Sequence, residues 1–185
     1  MKLNLGCGNN KIDDWINVDK EEACNPDKVV DLEVFPWPWP DNGIDDIKLI
    51  HVLEHLGQTT DKYLEIIKEL YRICRPGAHI HIRVPHPHND HFLDDPTHVR
   101  PITIEGMRLF DQEKNNEWKL SGVPSTPLGI YLGVNMKVVS WEYLIDPFFQ
   151  KKVDAGEVSL SDVRAQVLTD NNIVREIIIE MEVCK

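Results

Sequence analysis

The feature that most constrains this chain is its first nineteen residues, MKLNLGCGNNKIDDWINVD. Leu3 and Leu5 alternate with polar neighbours and run into Gly6-Cys7-Gly8-Asn9-Asn10, the pattern of a short buried strand that breaks into a tight glycine turn. A second short run, Trp15-Ile16-Asn17-Val18, closes on the carboxylate of Asp19. Gly6 and Gly8 carry no Cβ, so the main chain can turn sharply and approach a ligand at the carboxyl end of the strand, the edge where open α/β sheets bind. Glycine pairs after strands are also ordinary connections. The acid that ends the next strand adds chemistry, because it is placed to accept both hydroxyl hydrogens of a ribose.

Spacing separates one nucleoside class from another. The dinucleotide fingerprint is G-x-G-x-x-G opening a helix, with its acid about 20 residues further on. Here Lys11 stands where the third glycine belongs, Asp19 follows eleven residues after Gly8, and ten residues separate Leu5 from Ile16. A long helix aimed at a pyrophosphate has little room in that interval. S-adenosylmethionine contains ribose and adenine but no phosphate, so the spacing favours it over NAD.

On these residues the sequence resembles the class I S-adenosylmethionine-dependent methyltransferases, especially small bacterial and phage-like members with a methyltransferase type 11 core. Leu3-Asn4-Leu5-Gly6-Cys7-Gly8, Asn17-Val18-Asp19, Val30-Asp31-Leu32 and His51-Val52-Leu53-Glu54-His55-Leu56 carry the resemblance. Leu70 to Gly77 adds the helix and turn before a fifth strand, so the likeness covers roughly the first half of the chain. It implies that Leu5, Gly6, Cys7, Gly8 and Asp19 form the turn and ribose site. It also implies that Asp31 and Leu32 meet the adenine, and that His51, Val52 and His55 lie by the methionine part. Asp31 is otherwise a turn cap, and either histidine is otherwise a hydrogen-bonded packing residue. Cys7 reads as a small residue filling the turn rather than a nucleophile.

Composition narrows the class further. A chain of 185 residues with 42% hydrophobic content can bury the core of one domain, residues 1–185. The net charge is −11, and Met1 to Thr60 holds 5 Lys, no Arg and 12 acids. No basic stripe appears elsewhere, so direct nucleic-acid binding is not expected. Cys7, Cys24, Cys74 and Cys184 form no C-x-x-C pair, which argues for reduced thiols in a cytoplasmic setting. No apolar run is long enough to span a membrane, and no secretory core opens the chain.

Strand and helix signals then alternate. Lys28 to Val30 reads as a strand ending at Asp31, and Phe35-Pro36-Trp37-Pro38-Trp39-Pro40 as a stiff extended lid over the sheet. Asp46 to Ile50 reads as a strand. Thr59 or Thr60 caps a helix with Leu64, Ile67, Tyr71 and Cys74 at helical spacing, stopped by Pro76-Gly77. His79 to Val84 follows as a strand. Thr103 to Phe110 reads as a short helix and Asp111 to Pro127 as an insertion or mobile flap. Met136 to Ile145 and Ile173 to Val183 read as strands, the latter with Glu176, Glu180 and Glu182 on one solvated face.

Six of the eight histidines fall between His79 and His98. The segment from Pro85 to His98 follows a strand, so it belongs at the ligand-facing edge, where loops carry function. Three readings compete for it: a general base among His86, His91 and His98 with Asp95, a divalent metal site, and a loop ordered by its own caps. The base or substrate-orienting role ranks first and the metal last, because H-x-H-x-x-H matches no defined metal signature. No metal is therefore expected.

The architecture expected is an α/β three-layer sandwich with a Rossmann-like, mostly parallel sheet and an antiparallel strand near the C-terminus. The resemblance supplies the number seven for its strands. The chain begins almost at the first strand, so the site is expected either to be more open or to be completed by the histidine loop, the flap, a homodimer partner or another partner subunit. The function that follows is methyl transfer to a small polar or saccharide-like acceptor. A non-catalytic cofactor-binding subunit and an NAD-dependent oxidoreductase or epimerase are the alternatives.

Overall fold

The computed structural model describes every residue, Met1–Lys185. Seven strands form one sheet: β1 Lys2–Leu5, β2 Ile16–Asp19, β3 Lys28–Val29, β4 Ile44–Ile50, β5 Cys74–Pro85, β6 Met136–Ile145 and β7 Val174–Val183. Their order across the sheet is β3-β2-β1-β4-β5-β7-β6, parallel from β3 to β5, with β7 antiparallel to both its neighbours. Seven helices flank it: α1 Thr60–Ile73, α2 Asp90–Leu93, α3 Ile104–Arg108, α4 Gln112–Ser121, α5 Leu128–Leu132, α6 Pro147–Asp154 and α7 Leu160–Gln166. The Rossmann-like sheet with its antiparallel C-terminal hairpin is thus the one expected. None of the helices is long and apolar enough to cross a membrane.

Register sorts the side chains by chemistry. Leu3, Ile47, Ile80 and Met181 lie in line across β1, β4, β5 and β7, and all are at most 1% exposed. One residue further on, Asn4, Lys48, His81 and Glu180 form the next row, on the opposite face. The apolar face receives α1 through Tyr63, Ile66, Ile67, Leu70 and Ile73. That stripe is turned from the one expected: Leu64 and Tyr71 are only partly buried. On the polar face Glu180 takes up the imidazoles of His79 at 3.0 Å and His81 at 2.5 Å, so these two histidines serve cross-strand pairing.

Three local readings are corrected, and the proline-rich lid is found packed into the core. Pro76-Gly77 does not separate helix from strand: the chain enters β5 at Cys74, and Arg75 to Ala78 bulge out between the Ile44–Cys74 and Asp46–His79 pairs. Trp37 and Trp39 are core residues, 2% and 4% exposed. The expected flap contains α4, capped by Asp111 at its start and by Gly122 at φ +72° at its end. Glu176 is not solvated but 7% exposed, drawn in by Arg83, which donates to it, and by His51 at 3.5 Å.

The proline-rich segment explains one polar hub. Prolines 36, 38 and 40 have no N–H, so this stretch cannot join a ladder, and its buried carbonyls need donors from elsewhere. Arg72 supplies them, donating to Trp39 O at 2.9 Å and Trp37 O at 3.1 Å, while Glu69 accepts from Trp37 N at 2.6 Å and pairs with Arg72.

Candidate functional site

The chain leaves β1, moves outward to β2 and β3, then returns to β4 on the other side of β1. The switch point between β1 and β4 is where such sheets bind ligands, and a cavity of about 200 Å³ opens there. Gly6, Asp19, Asp31, Leu32, His51, Val52 and His55 line it, together with Lys20, Val30, Glu33 and Leu56. The structure therefore brings together seven of the ten residues expected at a cofactor site. The other three are outside the lining: Leu5 is fully buried and Cys7 is 4% exposed, while the amide of Gly8 donates to Asp19 Oδ2 at 2.8 Å.

Local physics shapes this floor. Gly6 has φ +64°, and a Cβ there would lie 2.5 Å and 2.8 Å from the methyls of Val52, so glycine is required both for its backbone and for its contact with β4's exit. Gly8 also has positive φ but faces open space. No helix forms between β1 and β2. Buried Asn4 and Asn17 hold that connection instead: Asn4 donates to Asn17 Oδ1 and Asn10 O, both at 2.9 Å, and Asn17 Oδ1 accepts from Ile12 N at 2.8 Å.

Asp19 is fixed by two main-chain amides, Gly8 on Oδ2 and Glu21 on Oδ1. Each oxygen keeps a lone pair for a ligand hydroxyl. Asp31 is exposed, with Oδ1 accepting from Glu33 N at 2.8 Å, and Glu33 in turn accepts from Gly57 N at 2.7 Å. The lining is thus anionic on its β2 and β3 side. His51 occupies the left-handed region at φ +55°, a strained position for a non-glycine residue of the kind found at ligand sites. Its imidazole stands 3.4 Å from Glu54 and 3.5 Å from Glu176. Attraction to the Glu54 carboxylate raises its pKa, against the opposing effect of burial.

Solved structures of the same shape exist. A SAM-dependent methyltransferase from Archaeoglobus fulgidus superposes with a TM-score of 0.65 at 20% identity, over 98% of this chain and 85% of that one. One from Methanosarcina mazei gives 0.56 at 13% identity, over 99% and 92%. The chain has the class I SAM-dependent methyltransferase fold. The cyclase SpnF has a comparable likeness, 0.55 at 14% identity over 99% and 74%, so this fold does not by itself fix a reaction. No protein-family model matches the sequence, and no curated protein matches it.

Within this class I fold the histidine loop after β5 divides sharply. His98 stands outside the lining but beside one of its residues: its ring lies 4.5 Å from that of His55, and Asp95 Oδ2 is 4.0 Å from its Nε2. Val99 N and Arg100 N both donate to Glu54 O, which ties the loop's end to the segment after β4. His91 lies exposed on α2. His86 is 9% exposed and packs on Tyr143 and His88, each ring 5.5 Å away, outside the cavity lining. Sequence reasoning passed over Lys20, Val30, Glu33 and Leu56, all neighbours of residues it chose. It also passed over Glu54 as a site residue, although Glu54 sits directly before His55 in the same short run.

Burial, with a smaller contribution from His88, lowers the pKa of His86 to about 4. The folded chain refuses a proton that the unfolded chain accepts near pH 6.5, so this site costs nothing above that value and destabilises progressively as pH falls toward 4. In a proton NMR titration the His86 ring signals should stay still from about pH 5.5 to 8. Movement of those signals within that range would show that the His86 ring is solvated.

Proposed function

We propose that this chain is an S-adenosylmethionine-dependent methyltransferase that acts on a small polar or saccharide-like acceptor by direct in-line transfer. The observation that carries this reading is the set of three acids lining the cavity, together with a glycine turn that opens no helix. A pyrophosphate needs a helix N-terminus or cations, whereas here Asp19, Asp31 and Glu33 face the space and the glycine turn leads into an irregular connection. Those features suit a ribose, an adenine amine and a cationic sulfonium. They repel the phosphates of NAD.

When bound, S-adenosylmethionine supplies a methyl group on sulfur that leaves a neutral thioether. The chain's part is positioning, which can supply much of the rate. Asp19, clamped by Gly8 and Glu21, holds the ribose hydroxyls; Asp31 accepts from the adenine amine; Gly6 lets the main chain come close; and His51 and Val52 border the methionine end. His55 in the lining, with His98 and Asp95 beside it, would orient the acceptor.

Calorimetric titration with S-adenosylhomocysteine beside NAD tests this. Saturable binding of the first ligand alone is expected, weakened about 10–100-fold in Asp19→Ala, since hydrogen bonds to a charged group are worth about 1.5–3 kcal/mol. Preference for NAD, or binding indifferent to Asp19, overturns the reading.

A further inference from the structure

Glu54 is the most unusual group in the protein. Its side chain is 0% exposed, yet neither carboxylate oxygen has a hydrogen-bond partner. The nearest cationic candidate, His51 Nδ1, is 3.4 Å away, beyond the usual range for an N–H···O bond. A buried carboxylate without donors is unfavourable unless a charge is supplied to it. Two imidazoles stand beside it: ligand atoms of Glu54, His55 and His98 lie within 4.8 Å of one another.

The hydrogen bonds around these rings fix which nitrogen each presents. His98 Nδ1 lies 2.8 Å from Phe92 O, a carbonyl that only accepts, so Nδ1 carries the proton and Nε2 keeps its lone pair. Thr97 Oγ1 donates its one hydrogen to Asp95 Oδ1 at 2.6 Å, so it accepts from His55 Nδ1 at 2.9 Å, and His55 Nε2 is likewise left with a lone pair. Metal-bound histidines are held in just this way, by a carbonyl or by a carboxylate on the far nitrogen. Here the carboxylate acts through one hydroxyl.

We propose that Glu54, His55 and His98 form a site for a divalent transition cation of the zinc type, with Phe92 O and the Asp95–Thr97 pair orienting its histidines. One carboxylate and two neutral imidazoles are a recurring three-ligand set that keeps a further position open. The ligand set is split between the segment after β4 and the loop after β5, 43 residues apart in sequence for His55 and His98. That separation is why no spacing signature announces it. His55 also lines the cavity, so a cation held there would border the ligand side, where it would polarise an acceptor oxygen and ease loss of its proton. This last role rests on the methyltransferase reading; the site itself does not.

The test is zinc titration of untagged, chelator-treated protein, with no cofactor present, followed by cobalt(II) substitution and absorption spectroscopy. One equivalent per chain is expected, with a spectrum lacking thiolate charge-transfer bands. Glu54→Gln and His98→Ala should each abolish binding and the accompanying rise in thermal midpoint. Thr97→Val should weaken binding about 10–100-fold, and His91→Ala should leave it unchanged. Absence of saturable binding, a thiolate spectrum, or an unchanged affinity in Glu54→Gln overturns the proposal. Because no cofactor is added, a failure here bears on the metal site alone, and the S-adenosylhomocysteine titration tests the methyltransferase reading independently.

Discussion

Gly6→Ala should abolish binding at the cavity and destabilise the fold by roughly 2–5 kcal/mol, from about 1–2 for a left-handed non-glycine residue and about 1–3 for overpacking. Both terms arise from one atom. The φ of +64° disfavours any Cβ, and the Cβ that is added meets the two Val52 methyls at 2.5 Å and 2.8 Å. Val52 is 7% exposed and belongs to the core, so it cannot simply swing into solvent. Gly8→Ala is the informative comparison. Its φ of +49° imposes the backbone cost, but nothing lies within 4 Å of the added carbon. Urea unfolding should therefore rank wild type, Gly8→Ala and Gly6→Ala in descending stability, and the double variant Gly6→Ala with Val52→Ala should not restore the wild-type value. Equal losses at the two glycines would mean that the contact with Val52 yields and only the backbone matters.

Arg72→Met should cost about 1–3 kcal/mol of stability, the penalty for leaving buried polar groups without their partner. The loss has three parts on one helix turn. Glu69, 8% exposed, is left without its cation, and the carbonyls of Trp37 and Trp39 lose their donor. The same substitution changes the response to pH. Hydrogen bonding to Arg72 holds the Glu69 pKa below its ordinary value of 4.5. That contribution is present above about pH 4.5 and is lost as pH falls through the lower folded-state value. In Arg72→Met the acid limb of the stability curve should flatten, because Glu69 loses the largest of the groups that favour its ionised form and keeps only the amide of Trp37. Thermal unfolding of both proteins between about pH 3 and 7 measures this difference. Parallel curves would assign the stabilisation to the carbonyl contacts alone.

Much of the frame was legible because its signals are local. Leu3 and Leu5 before a glycine turn place β1, and the run to Asp19 places β2. Thr59 caps α1 as its residue type predicts, accepting from Lys62 N, and the alternation from Met136 to Ile145 matches β6 at both ends. Asp19, the last residue of β2, was placed by the same reasoning, since a strand's carboxyl end is fixed by its own few residues, whereas the place of Asp31 followed from the family resemblance. Even the misread flap carried a local signal. Asp111 and Gly122 bracket α4, but its all-round polarity hid a helix that is anchored through Asn115, which donates to Leu109 O.

Other features depend on partners distant in sequence, and those only the tertiary structure decided. Glu176 and Glu180 belong to one period-two row of β7, yet the first is buried because Arg83 and His51 meet it and the second stays half-exposed beside His79 and His81. Among His86, His91 and His98, nothing in the chain order distinguishes the ring that arrives beside His55. Val99 and Arg100 settle that by donating to Glu54 O across more than forty residues. Sequence alone determined where strands end and which acids close them, since short-range sterics and hydrogen bonding act within a few residues. The burial of Glu54 between two imidazoles was decided by packing, because a buried charge takes its meaning from whatever groups the fold brings within a few ångströms of it.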